Sequence, residues 1–208
     1  MKKLQKLASL FMAAALSLTS AAALADIIAP DDSDYGDLAG VTVNATVGEY
    51  HEADNTFTVT LYADDVYEID DIDELKKGDI VLAGGQVFEV ADKSVDEFGE
   101  TLVKCTNGWE IIFSQVGDDK MIAMNNEDER RFMHVFAQLQ LPVAGGITFE
   151  DASNPDEKPV TYTGLQEILK IKQEKETNSI GLDFYATVIT MNKKMEIVRI
   201  YQEFDVAQ

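Results

Sequence analysis

The sequence predicts a mainly β fold, a small antiparallel barrel or barrel-like sandwich, with one amphipathic α-helix near the C-terminal third. Three observations carry this prediction. Short segments alternate apolar and polar residues, turn residues separate them at close spacing, and only one segment combines a helical cap with helical apolar spacing. "VTVNATV" places Val41, Val43, Ala45 and Val47 on one face and Thr or Asn on the other, and "TFTVTLY" does the same with Phe57, Val59 and Leu61. "GEYHEADN" supplies the turn between them, so the two form a hairpin.

The next stretch, "TLYADDVYEIDDIDELKKGD" from Thr60 to Asp79, is dense in carboxylates. Ile69, Ile72 and Leu75 recur at three-residue spacing, which predicts a short helical or turn-like crossing with those residues inward and the acids in water. The chain then re-enters the sheet at Gly78-Asp79. "DIVLA", "QVFEVAD", "TLVKCT", "WEIIFSQ" and "KMIAM" follow as strands, separated by Gly84-Gly85, "SVDEFGE", Asn107-Gly108 and "GDD". Asn-Gly between apolar runs is the strongest short hairpin signal of the series. A succession of this kind forms a meander.

"NNEDERRFMHVFAQLQLPV" fits two periods. Asn126 as a cap with Phe132, Val135, Phe136 and Leu139 suits a helix, while Met133, Val135, Ala137, Leu139 and Leu141 alternate as a strand does. Pro142 is expected to end the element in either case. Thr163 and Gln166 form a capping box ahead of Leu165, Ile168, Leu169 and Lys172, which predicts a helix from Thr163 to Lys175. Two apolar runs flanking Asn192-Lys193-Lys194 predict a terminal hairpin.

The first 25 residues combine Lys2, Lys3 and Lys6, an apolar run from Leu7 through Leu18, and small residues at Ala23-Leu24-Ala25. This is the pattern of a secretory signal peptide cleaved after Ala25, so a secreted, extracytoplasmic location is expected. Ser17, Thr19 and Ser20 interrupt the apolar run before the ~20 residues a bilayer requires. Residues 26–39 read as a flexible acidic leader, and 40–208 as one β-rich domain. Cleavage removes three lysines and no acid, which takes the net charge from −21 to −24. So negative a surface repels nucleic acid, and neither nucleic-acid binding nor a membrane span is expected. The chain reads as a monomer. Its one cysteine, Cys105, lies between strand residues and reads as a buried thiol.

The order "TFTVTLYADDVYEIDDIDELKKGDIV", Gly84-Gly85, "LQLPV", "PVTYTGLQEIL" and "FYATVITMNKKMEIVRIY" resembles a group of small exported bacterial proteins and lipoproteins from gut-type anaerobes. That group carries no established biochemical function. In it the segment before "LP" reads as a strand, so the resemblance implies a strand over Phe132–Leu141. Phe136 stands here where the group tends to have Gly, and Lys193-Lys194 where it often has Gly in the last turn.

No catalytic constellation stands out. His51 and His134 lack zinc spacing, "GxSxG" is absent, and adjacent acids such as Asp64-Asp65 point to opposite faces of a strand. The expected function is a secreted, non-enzymatic binding module for a protein or carbohydrate partner, with Tyr62, Tyr67 and Trp109 as candidate contact residues. The alternatives are a carboxylate-dependent hydrolase and a calcium-binding surface protein. No tightly held cofactor is expected, and weak Ca2+ binding would draw on Asp64 and Asp65.

Overall fold

The computed structural model describes residues 26–31, 38–174 and 186–203. The expected signal peptide, and residues 32–37 of the leader, lie outside them. In chain order the strands are β1 (Ile27–Ile28), β2 (Thr42–His51), β3 (Thr56–Asp64) and β4 (Val66–Glu68), followed by helix α1 (Ile69–Glu74). Then come β5 (Ile80–Ala83), β6 (Gln86–Val95), β7 (Thr101–Cys105), β8 (Glu110–Val116), β9 (Lys120–Asn125), β10 (Met133–Ala152) and β11 (Val160–Thr163). Helix α2 (Leu165–Glu174) and strands β12 (Thr187–Met191) and β13 (Ile197–Glu203) complete the chain. The fold is mainly β, as the alternation predicts.

Five strands close into a ring. β2 pairs with β3, β3 with the first half of β10, the second half of β10 in parallel with β13, β13 with β12, and β12 with β2. Numbered within the ring, the order is 1-2-3-5-4 with α2 between the third and fourth strands. The parallel pairing of β10 with β13 closes the ring. Alternation along β3 turns Phe57, Val59 and Leu61 inward, where they meet Phe149 of β10, Ile189 of β12 and Ile200 of β13. Ile168 and Ile171 of α2 plug this core. The cap of α2 differs in detail from the expected box, because Glu167 rather than Gln166 accepts the Thr163 N–H, at 3.0 Å.

β10 resolves the ambiguous segment as a strand, and it also corrects the expectation that Pro142 ends it. Pro142 stands opposite Thr56, the first residue of β3, and immediately beyond it β10 exchanges β3 for β13. A residue without an N–H costs little at such a change of partner. Gly145 and Gly146, which resemble turn residues in the sequence, lie inside β10 at the register shift between Val143 and Thr148. The absence of a side chain there suits a barrel corner.

Residues 65–132 are inserted between the second and third barrel strands. With β1 they build a seven-stranded sheet in the order β1-β5-β6-β7-β8-β9-β4, whose middle is the expected meander. Its core is separate from that of the barrel and contains Tyr67, Phe88, Val103 and Phe113, capped by Ile72 and Leu75 of the acidic crossing. Part of the leader also belongs to this sheet, because Ile27 and Ile28 pair in parallel with Ile80 and Val81. Among the described residues no helix is long and apolar enough to cross a membrane.

Candidate functional site

The β7–β8 turn decides where Trp109 stands. Gly108 adopts a φ of 89°, a conformation open to glycine without strain, and its N–H donates to the Cys105 carbonyl at 3.0 Å. The Trp109 carbonyl accepts the Cys105 N–H at 2.8 Å, and the Asn107 side chain accepts the Trp109 N–H at 3.2 Å. The backbone at Trp109 is therefore fixed on both sides. Its ring leans on two core aromatics: Phe88 lies 5.7 Å away between centroids and Phe132 lies 6.2 Å away, both tilted. Phe88 and Phe132 touch each other edge-on at 5.7 Å. Against this support the indole remains 41% exposed.

Trp109 is the wall between two open clefts. One, of about 340 Å³, is bordered by Asn107, Glu110, Asn125, Asn126 and Glu127. The other, of about 390 Å³, is bordered by Gly84, Gln86, Asn125, Asp128, Arg130, Phe132 and Met133. Most of the charges here are engaged inside the protein. Glu110 accepts from the Asn126 side chain at 2.5 Å and lies 3.8 Å from Lys104, and Asp128 lies 3.8 Å from Arg130. What the clefts offer is an aromatic face ringed by side-chain amides.

The other candidate residues are distributed differently. Tyr62 lies on the outer face of β3, with its hydroxyl 3.5 Å from Thr46. By register its row includes Asn44 of β2 and Val135 of β10, and the next row is Thr46, Thr60 and Gln138. This uncharged surface spans the first three barrel strands, with Val135 as its exposed apolar member. Tyr67, in contrast, is core: it is 1% exposed, packs edge-on against Phe113 and donates its hydroxyl to the Leu82 carbonyl at 2.6 Å. Burial pushes its phenol far above the ordinary range, and the charge of Asp65 adds to the effect. It offers no ring to a ligand, because β4 turns it into the inserted sheet rather than onto the face that carries Tyr62.

Asp64 and Asp65 stand in different surroundings. Asp64 points out of β3 and pairs with Arg131 at 3.0 Å, whereas Asp65 is fully buried where the barrel meets the insertion. One Asp65 oxygen lies 2.6 Å from His134 Nδ1, and the other accepts the Gly84 N–H at 2.5 Å. Its backbone is also tied, to Phe132 and Ala123. No local pattern signals the Asp65–His134 contact, which joins residues 69 positions apart. The two histidines are far apart, since His51 pairs with Thr56 at the start of β3 and His134 with Ala63 near its end. His51 Nε2 is within 2.8 Å of the Thr58 hydroxyl. Among the described residues no group of three or more acids, histidines or cysteines is placed to hold a metal.

Cys105 is buried as expected, and burial together with the nearby Glu110 carboxylate pushes its thiol up to about 11. A thiol held protonated is a poor nucleophile. At pH 8 the native protein is expected to resist a maleimide and to react fully once unfolded, as mass spectrometry of the adduct will report. The unfolded chain loses this proton first, so the thiol's contribution to stability is present at neutral pH and is lost as pH rises from about 9 to about 11.

No protein-family model matches the chain, and neither a curated protein nor a solved structure matches it, so the chemistry of its own surface is what bears on function.

Proposed function

We propose that the protein is an exported, non-enzymatic binding module that holds a neutral carbohydrate chain against Trp109. The observation that carries this reading is the half-exposed indole, braced by Phe88 and Phe132 and standing between two clefts lined by Asn107, Asn125, Asn126 and Gln86. A rigid aromatic face covers apolar C–H surface at little entropic cost, and amides donate to and accept from hydroxyls. A basic peptide is the competing ligand, because Glu110, Glu127 and Asp128 border the same clefts.

Isothermal titration with a panel of neutral hexasaccharides, beside a lysine-rich peptide of similar length, tests the reading. Heat that saturates with at least one sugar and not with the peptide is the expected result; binding of the peptide alone counts against it. A carboxylate-dependent hydrolase is the second reading. It is favoured by one observation, that Glu110 and Glu127 border the same cleft from different segments. Shortening of the bound oligosaccharide, followed by mass spectrometry, separates it from simple binding.

A further inference from the structure

The residues that follow the expected cleavage point are built into the fold. Asp79, at the entry to β5, is 9% exposed, and one of its carboxylate oxygens accepts the Lys76 N–H at 2.7 Å. The other oxygen lies 3.4 Å from the backbone nitrogen of Asp26, the residue after Ala25. Asp26 is fixed from its other side as well, since its carbonyl accepts the Ile80 N–H at 2.9 Å and β1 begins at the next residue. A few residues on, the Asp31 N–H donates to the Val66 carbonyl at 2.7 Å, and Lys120 holds the Asp31 carboxylate at 2.7 Å. β5 adjoins β1 at one edge of the seven-stranded sheet and β4 is the other edge, so residues 26–31 are a strap that ties the two edges together.

As a peptide nitrogen, Asp26 has one hydrogen to offer Asp79, at a long distance. Hydrolysis of the Ala25–Asp26 bond changes that. Water adds across the bond, the C–N bond breaks, Ala25 leaves with a carboxylate, and the nitrogen of Asp26 becomes an amine that takes up a proton. An α-amino group has an ordinary pKa of about 7.7–8.0, so it is mostly charged at neutral pH. A charged donor facing a largely buried carboxylate makes a shorter and stronger hydrogen bond than an amide does.

We propose that Ala25–Asp26 is a maturation site whose new α-ammonium group is received by Asp79, so that export processing locks β1 onto β5 and closes the inserted sheet. The proposal rests on the signal-peptide reading, and one experiment separates the failure of either. The full-length chain is produced in an exporting bacterium, as wild type, as Asp79→Asn, and as each of these with Gly-Ser inserted after Ala25. The exported products are then sequenced from the N-terminus and melted. The wild-type product is expected to begin at Asp26. The insertion is expected to lower the melting temperature of the wild type by about 3 °C, the scale of one modest interaction in a chain of this size, and to leave that of Asp79→Asn unchanged. A wild-type product with another first residue overturns the cleavage reading and the maturation site with it. A product that begins at Asp26, and whose melting the insertion does not alter, or alters equally with Asp79→Asn, overturns the lock alone.

Discussion

Replacing Asp65 by alanine is expected to cost about 3 kcal/mol of folding stability, while the same change at its neighbour Asp64 costs under about 1 kcal/mol. The two acids are adjacent in sequence and opposite in circumstance. Asp64 pairs with Arg131 at the surface, where water replaces a lost partner and salt screens what remains. Asp65 is fully buried and serves His134 Nδ1 and the Gly84 N–H at once. Its removal leaves both groups facing a cavity that the alanine does not fill, and a stranded buried polar group costs about 1–3 kcal/mol. The Phe132 ring packs closely on Gly84, where a built Cβ would lie 2.9 Å from it. Urea denaturation of the two variants checks the contrast. Equal losses would mean that Asp65 is solvated like its neighbour and that the junction between barrel and insertion is held by something else.

Trp109→Ala is expected to weaken carbohydrate binding by roughly 30-fold or more, the effect of removing an aromatic anchor worth about 2 kcal/mol. The fold should survive, because the core partners Phe88 and Phe132 continue to pack on each other. Trp109→Phe keeps an aromatic face of smaller area and is expected to lose only part of the affinity. Tyr62→Ala serves as the comparison. Tyr62 lies on the outer face of the barrel and borders neither cleft at Trp109. Little change is expected from it. Calorimetry in which Tyr62→Ala abolished binding and Trp109→Ala did not would move the site from the insertion to the barrel.

Much of the fold was legible because its signals are local. The alternation in "TFTVTLY", the turns at Gly84-Gly85 and Asn107-Gly108, and the three-residue spacing of Ile69, Ile72 and Leu75 are each contained within about ten residues. The features that escaped depend on chain segments far apart in sequence. Pro142 looked like a terminator because nothing nearby shows that β10 changes partner there, from a strand some 80 residues earlier to one more than 50 residues later. The Asp65–His134 contact spans 69 residues, and the support of Trp109 comes from Phe88 and Phe132 on either side of it in sequence. Tyr67 shows the complementary limit. Its pattern allowed either face, and the crossing from β3 into the inserted sheet decided for burial.

The most direct test uses a convenience of composition, that Trp109 is the only tryptophan in the chain. Its fluorescence therefore reports on the proposed site alone. Titration of the mature protein with neutral hexasaccharides, up to about 10 mM so that binding as weak as about −4 kcal/mol is seen, is predicted to give a saturable change in emission with at least one of them. Emission that no neutral sugar alters, while calorimetry on the same samples registers binding of a ligand, would contradict the assignment of Trp109 as the anchor.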